Sequence, residues 1–243
     1  MASKTPWKDR KDLLKDISSF VHRKGAFFKQ NSKRMSDLFE MTVYNDAVRY
    51  YRREKYSISI HNLMSDGTFQ YKLSTAGLST NFSYFVAEKT FKDGEEKVEI
   101  HHNLKVQSSH DNHIYYTADV SVCRENGVST KKQKNGRNHS FIENDNLITF
   151  FEVKNMNPFP EILFSFSGIV LEVMPDFITS KKYIIGKKYK HLTPSIVFSG
   201  TGGKHVEQVA DILSLRYGYN VIRGLYVNKG KIYSMDKLNT YDA

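Results

Sequence analysis

The sequence predicts an α/β fold, a mixed β-sheet sandwiched between helices, formed as one domain behind an N-terminal extension. Three observations carry that expectation. Hydrophobic spacing switches between the helical period and the strand period in the order helix, several strands, helix, strand, helix, strand. No repeat, low-complexity tract or Pro/Gly linker divides the 243 residues, and only 5 prolines occur. Hydrophobic residues are 40% and charged residues 26%, so the chain can bury a sizeable core and is not wholly disordered.

Taken in order, residues 9–21 place Leu13, Leu14, Ile17, Phe20 and Val21 at helical spacing. Ser36 reads as an N-cap, and Leu38, Phe39, Met41, Val43, Ala47, Val48 and Tyr51 continue a longer amphipathic helix to about Glu54. Residues 56–60 alternate as a strand does; 64–68 form a turn, and 69–73 read as a second short strand. Residues 75–91 are ambiguous, because Gly77 and the Ser/Thr content weaken a helix. Lys92-Asp93-Gly94-Glu95 is a turn signal, and 98–106 and 113–122 read as consecutive strands. A polar loop over 124–146 leads into 147–153, the strongest strand pattern in the chain. After Pro160 the run 162–174 is apolar nearly all round, a buried helix closed by Pro175. Residues 196–198 form a short strand running into Ser199-Gly200-Thr201-Gly202-Gly203. A helix over 206–217 with Gly218 as its C-cap and a last strand over 219–227 complete the order.

Charge is distributed unevenly. The formal net charge is +10, of which residues 1–34 carry +7, from 10 basic and 3 acidic residues. The middle of the chain is balanced and holds most of the carboxylates. Basic flanks around acids suit a polyanion that meets a metal ion. The single Cys123 excludes an internal disulfide framework and a multi-cysteine zinc site. No run approaches 18 apolar residues and residues 1–15 lack an apolar h-region, so neither a membrane span nor a secretory signal is expected; the expected location is the cytoplasm.

The candidate chemistry centres on Phe150-Phe151-Glu152-Val153-Lys154. In a strand Glu152 and Lys154 project to one side, preceded there by Ile148 and Phe150. The chain thus passes from buried apolar positions to a carboxylate and an ammonium, which need a partner, a metal or a substrate. Asp119 lies within the strand Tyr115-Tyr116-Thr117-Ala118-Asp119-Val120, where Asp is disfavoured. If the two strands pair, Asp119 stands beside Glu152, and adjacent carboxylates repel unless a cation joins them. Such oxygen ligands suit Mg²⁺.

This constellation resembles the PD-(D/E)xK nuclease superfamily, with its restriction endonuclease-like mixed sheet flanked by helices. The resemblance covers roughly residues 35–200, and the domain is taken as 35–243 behind a basic helical extension at 1–34. It implies that Asp119 and Glu152 bind Mg²⁺, with Mn²⁺ able to substitute, and that the Val153 backbone carbonyl joins them. It implies that Lys154 orients or activates the attacking water, and that Glu40 on the first helix adds a metal or outer contact. Ala118 stands where the motif's name has proline, and Asp119 precedes Glu152 by 33 residues. Glu143 and Asp145 lie nearer, but at the entrance of the Glu152 strand.

The implied function is a metal-dependent endonuclease hydrolysing phosphodiester bonds, with DNA ahead of RNA, in a restriction or anti-phage defence setting. The alternatives are a non-catalytic nucleic-acid-binding module keeping the fold, or a transposition or repair nuclease. A homodimer or higher homo-oligomer is expected, and no membrane partner. Arg49, Arg52 and Arg53, clustered with Tyr50 and Tyr51, and Lys131 and Lys132 are candidate nucleic-acid contacts. Gly200-Thr201-Gly202-Gly203-Lys204-His205 fails the P-loop pattern twice, at Phe198 and at His205. His101-His102-Asn103 and His113 suggest an HNH-type nuclease or a zinc site. His101 and His102 point to opposite faces of a strand, however, and do not both ligate one metal without distortion, so they read as satisfied strand histidines; Cys123 reads as a small strand residue.

Overall fold

In the computed structural model the described residues are 35–92, 94–132, 136–179 and 191–225, with backbone alone at 35 and 231–233. The extension at 1–34, with its expected helix, lies outside them. Helix α1 (Met35–Arg53) is followed by strands β1 (Ser57–His61), β2 (Tyr84–Phe91), β3 (Gly94–Gln107) and β4 (Tyr115–Arg124). The hairpin β5 (Val128–Lys132) and β6 (Asn138–Ile142) then precedes β7 (Leu147–Lys154). Helix α2 (Pro160–Val173), the short α3 (Pro175–Thr179), β8 (Ser195–Phe198), α4 (Lys204–Tyr217), β9 (Asn220–Arg223) and β10 (Lys231–Tyr233) complete the order.

The strands form one mixed sheet in the order β1-β2-β3-β4-β7-β8-β9-β10, with β6 joining β3 and β5 joining β6. Strands β1, β2, β3, β4 and β7 pair antiparallel in succession and β6 joins β3 in parallel; β7, β8 and β9 run parallel, because α2 and α4 carry the chain back across the sheet. Each face has its own core. Helix α1 buries Phe39, Tyr44 and Tyr51 against Ile100, Val122 and Phe151 on one face. Helices α2 and α4 bury Phe166, Val170 and Ala210 against Phe150, Ile196 and Val221 on the other. Each fully buried aromatic or branched side chain contributes about 1.5–3 kcal/mol.

Several expectations are corrected. Residues 69–73 make no strand ladder: Phe69 and Tyr71 alternate into the α1 core, but the segment is held by the Ser83 hydroxyl, which accepts the Gln70 N–H at 2.9 Å and donates to the Asn62 carbonyl at 2.7 Å. The loop 124–146 contains the β5–β6 hairpin. Helix α2 is buried on the stripe Leu163, Phe166, Val170 and Val173; Phe164 and Leu171 are exposed, because the sheet and the neighbouring α3 and α4 cover only part of its circumference. Ile148 and Phe150 do not share a face. Ile148 packs with the α1 core and Phe150 with the α2 core, owing to a register shift opposite Val122 and Cys123.

Candidate functional site

Strands β4 and β7 pair antiparallel through Val122↔Thr149 and Ser121↔Phe150 as far as Val120↔Phe151. Beyond that pair the two strands part. The next residues on either side are Asp119 and Glu152, so the acids stand at the fork of the sheet. The Val153 N–H, which a strand neighbour's carbonyl would otherwise take, donates to Asp119 Oδ2 at 2.6 Å. In an extended strand a residue's N–H and C=O point to the same flank, so the Val153 carbonyl is turned toward β4 as well.

Lys154 closes the group. Its Nζ lies 3.9 Å from Asp119 Oδ2 and in direct contact with Glu152 Oε1. Its own carbonyl accepts two backbone N–H groups, from Met156 at 2.9 Å and Ser199 at 3.1 Å, which fixes the end of β7. The glycine-rich stretch after β8 contributes here by packing. A Cβ on Gly200 would come within 2.8 Å of the Asn157 Cα, so only glycine lets the segment after Lys154 lie this close.

Glu40 enters from α1. The Asn103 side-chain amide donates to Glu40 Oε2 at 3.3 Å and to the Lys72 carbonyl at 3.0 Å. Asn103 has φ +50°, a left-handed conformation that Asn tolerates better than most residues. The same strand presents His102, stacked on Tyr44 at 5.2 Å, with Nε2 4.0 Å from Glu40 Oε2. Lys72 is not singled out by the sequence, which reads the histidines of His101-His102-Asn103 as satisfied strand residues rather than metal ligands; an Asn in the middle of a strand pattern is the available signal for this site.

The electrostatics are those of crowded acids. Burial, then the nearby Asp119 charge, pushes the Glu40 carboxyl up to about 7. Burial also raises Asp119 and Glu152 above the usual carboxylate range, against the pull of Lys154. Lys154 is itself held above the ordinary lysine value, since the attraction of Asp119 and Glu152 outweighs its burial. His102 is driven down to about 3 by burial and by Lys72, and is neutral. Three carboxylates against one ammonium leave two negative charges unbalanced when all are ionised. An oxygen-rich donor set with that deficit fits a hard divalent cation.

The expected nucleic-acid contacts are dispersed. Arg49 pairs with Asp46 at 2.6 Å, and Arg52 and Arg53 are exposed on the last turn of α1. At 1.5 Å per residue, Arg52 lies about 18 Å along the helix from Glu40. Tyr50 and Tyr51 are buried against one another, ring centroids 5.3 Å apart, so neither offers a face for base stacking. Lys131 and Lys132 are exposed at the end of β5, in the hairpin that β6 anchors to Lys105 and Val106. No helix among the described residues is long and apolar enough to cross a membrane. Compared with known protein families, curated proteins and solved structures, the chain matches none.

Proposed function

We propose that the protein is a Mg²⁺-dependent nuclease hydrolysing phosphodiester bonds, with DNA the favoured substrate. The observation that carries this reading is the convergence of Asp119, Glu152 and Lys154 at the β4–β7 fork, with Glu40 alongside. Asp119, Glu152 and the Val153 carbonyl would hold the ion, and Glu40 would bind it or its water through the outer shell. A bound Mg²⁺ supplies Lewis acidity toward a phosphate oxygen and lowers the pKa of a coordinated water. Lys154, held charged by the two acids, would orient the attacking water or neutralise charge developing on the phosphate oxygens. Arg52, Arg53, Lys131 and Lys132 would then track a phosphate backbone extending away from the fork. A restriction or anti-phage setting, and assembly as a homodimer or larger homo-oligomer, rest on the family resemblance.

Three variants test it. With plasmid DNA and Mg²⁺, Lys154→Ala should lower cleavage by about 10²-fold or more while calorimetric Mg²⁺ binding persists. Asp119→Ala and Glu152→Ala should lose cleavage and metal binding together. Full activity in any one of the three would sink the assignment, as would undiminished cleavage in EDTA.

A further inference from the structure

A second cluster lies on β3 and β4, away from the β4–β7 fork. Strand alternation puts Glu99 and His101 of β3 on one face, and the β3–β4 register sets Cys123 opposite Glu99 and Ser121 opposite His101. The four side chains form a two-by-two block, and all are buried. His101 Nε2–H donates to Glu99 Oε2 at 2.9 Å, and Cys123 Sγ lies 4.0 Å from the same oxygen. The donor atoms of Glu99, His101 and Cys123 all lie within 4.8 Å of one another.

A hydrogen-bonded His–Glu pair has no need of a thiol aimed at the shared oxygen. Three donors converging on one point describe a coordination site, and two outer contacts complete it. The Asn126 N–H donates to Glu99 Oε1 at 3.0 Å, so Oε2 is the oxygen that faces His101 and Cys123. The Tyr84 ring stacks on His101 at a centroid distance of 4.7 Å and fixes the imidazole plane. Outer contacts of this kind orient metal ligands. The fourth corner of the block carries an independent sign: Ser121 is fully buried, and its hydroxyl has no hydrogen-bond partner among the described residues.

We infer that Glu99, His101 and Cys123 bind a zinc ion, with a water held against Ser121 as the fourth ligand. One oxygen, one imidazole nitrogen and one sulfur form a borderline-soft set that selects zinc over Mg²⁺. The ion would clamp β3 to β4 and to the turn at Asn126 that opens the β5–β6 hairpin. This site is independent of the acids at the fork, whose oxygen-only ligands prefer hard cations.

Cobalt substitution tests the inference in the full chain, after chelator treatment and addition of Co²⁺. The wild type should bind Co²⁺ with a sulfur-to-cobalt charge-transfer band in the near ultraviolet and tetrahedral bands in the visible. Zinc should displace Co²⁺ stoichiometrically, and Mg²⁺ should not. Cys123→Ser should abolish the ultraviolet band, and Glu99→Gln and His101→Gln should each weaken Co²⁺ affinity at least tenfold. A wild type without the sulfur band would overturn the site, even if Co²⁺ bound the fork acids. So would equal affinity in wild type, Glu99→Gln and His101→Gln, because the thiol would then be binding alone.

Discussion

Lys72 shows how one side chain near the fork carries an energetic cost. It is buried beneath the Asn103 amide, with its ammonium donating to the Ser74 carbonyl and lying 5.6 Å from the Phe82 ring centroid. Burial, and then the Lys105 charge, lowers its pKa from 10.5 to about 8. Below pH 8 the folded protein therefore holds a buried cation that the unfolded chain would solvate. Between about 8 and 10.5 the folded state releases its proton first, so that cost disappears as pH rises. Lys72→Met should accordingly be more stable than wild type by about 1–3 kcal/mol at pH 7. The gap should close by pH 10.5, as read from urea unfolding at a series of pH values. A gap independent of pH would show that the effect is packing alone.

At the scale of elements, β3 is where the two faces of the sheet are apportioned. Ile100 packs into the α1 core and Leu104 into the α2 core, although alternation alone would put both on one side. The left-handed Asn103 stands between them and resets the phase. Asn103→Ala should cost about 2–3 kcal/mol, combining left-handed strain with the lost bonds to Glu40 and the Lys72 carbonyl. Asn103→Gly relieves the strain and should cost about half as much in thermal or urea unfolding; equal losses would assign the whole effect to the amide. The phase change also marks the limit of what hydrophobic pattern can reveal. Strand positions 98–106 and 147–153 were legible because β-branched and aromatic runs are local. The faces of Ile148 and Leu104 were not, since a bulge or a left-handed residue depends on the neighbouring strand. No site is expected from sequence at Glu99 and His101, although their two-residue spacing puts both on one strand face. The third member of that cluster, Cys123, needed the β3–β4 register, which no local signal fixes.

Across the whole molecule the charge lies mainly outside the described residues, with +7 of the net +10 in residues 1–34. Replacing the ten basic residues of that segment with Gln should flatten the dependence of DNA affinity on salt, since fewer counterions are released on binding. Titrations at several KCl concentrations measure it, and an unchanged slope would make the segment a spectator. The α/β class and the helices on both faces of a mixed sheet follow from element order. The acids at the fork could be named from sequence because a carboxylate inside a strand is costly wherever it occurs. Where β4 parts from β7 is a property of the assembled sheet. The bond from the Val153 N–H to Asp119 has a further consequence. It seats a flexible side chain on a backbone donor, so the carboxylate's rotamer is chosen when the chain folds. If the proposed ion binds there, the entropy of ordering Asp119 would belong to folding rather than to the encounter, and the cation would meet an oxygen already in position.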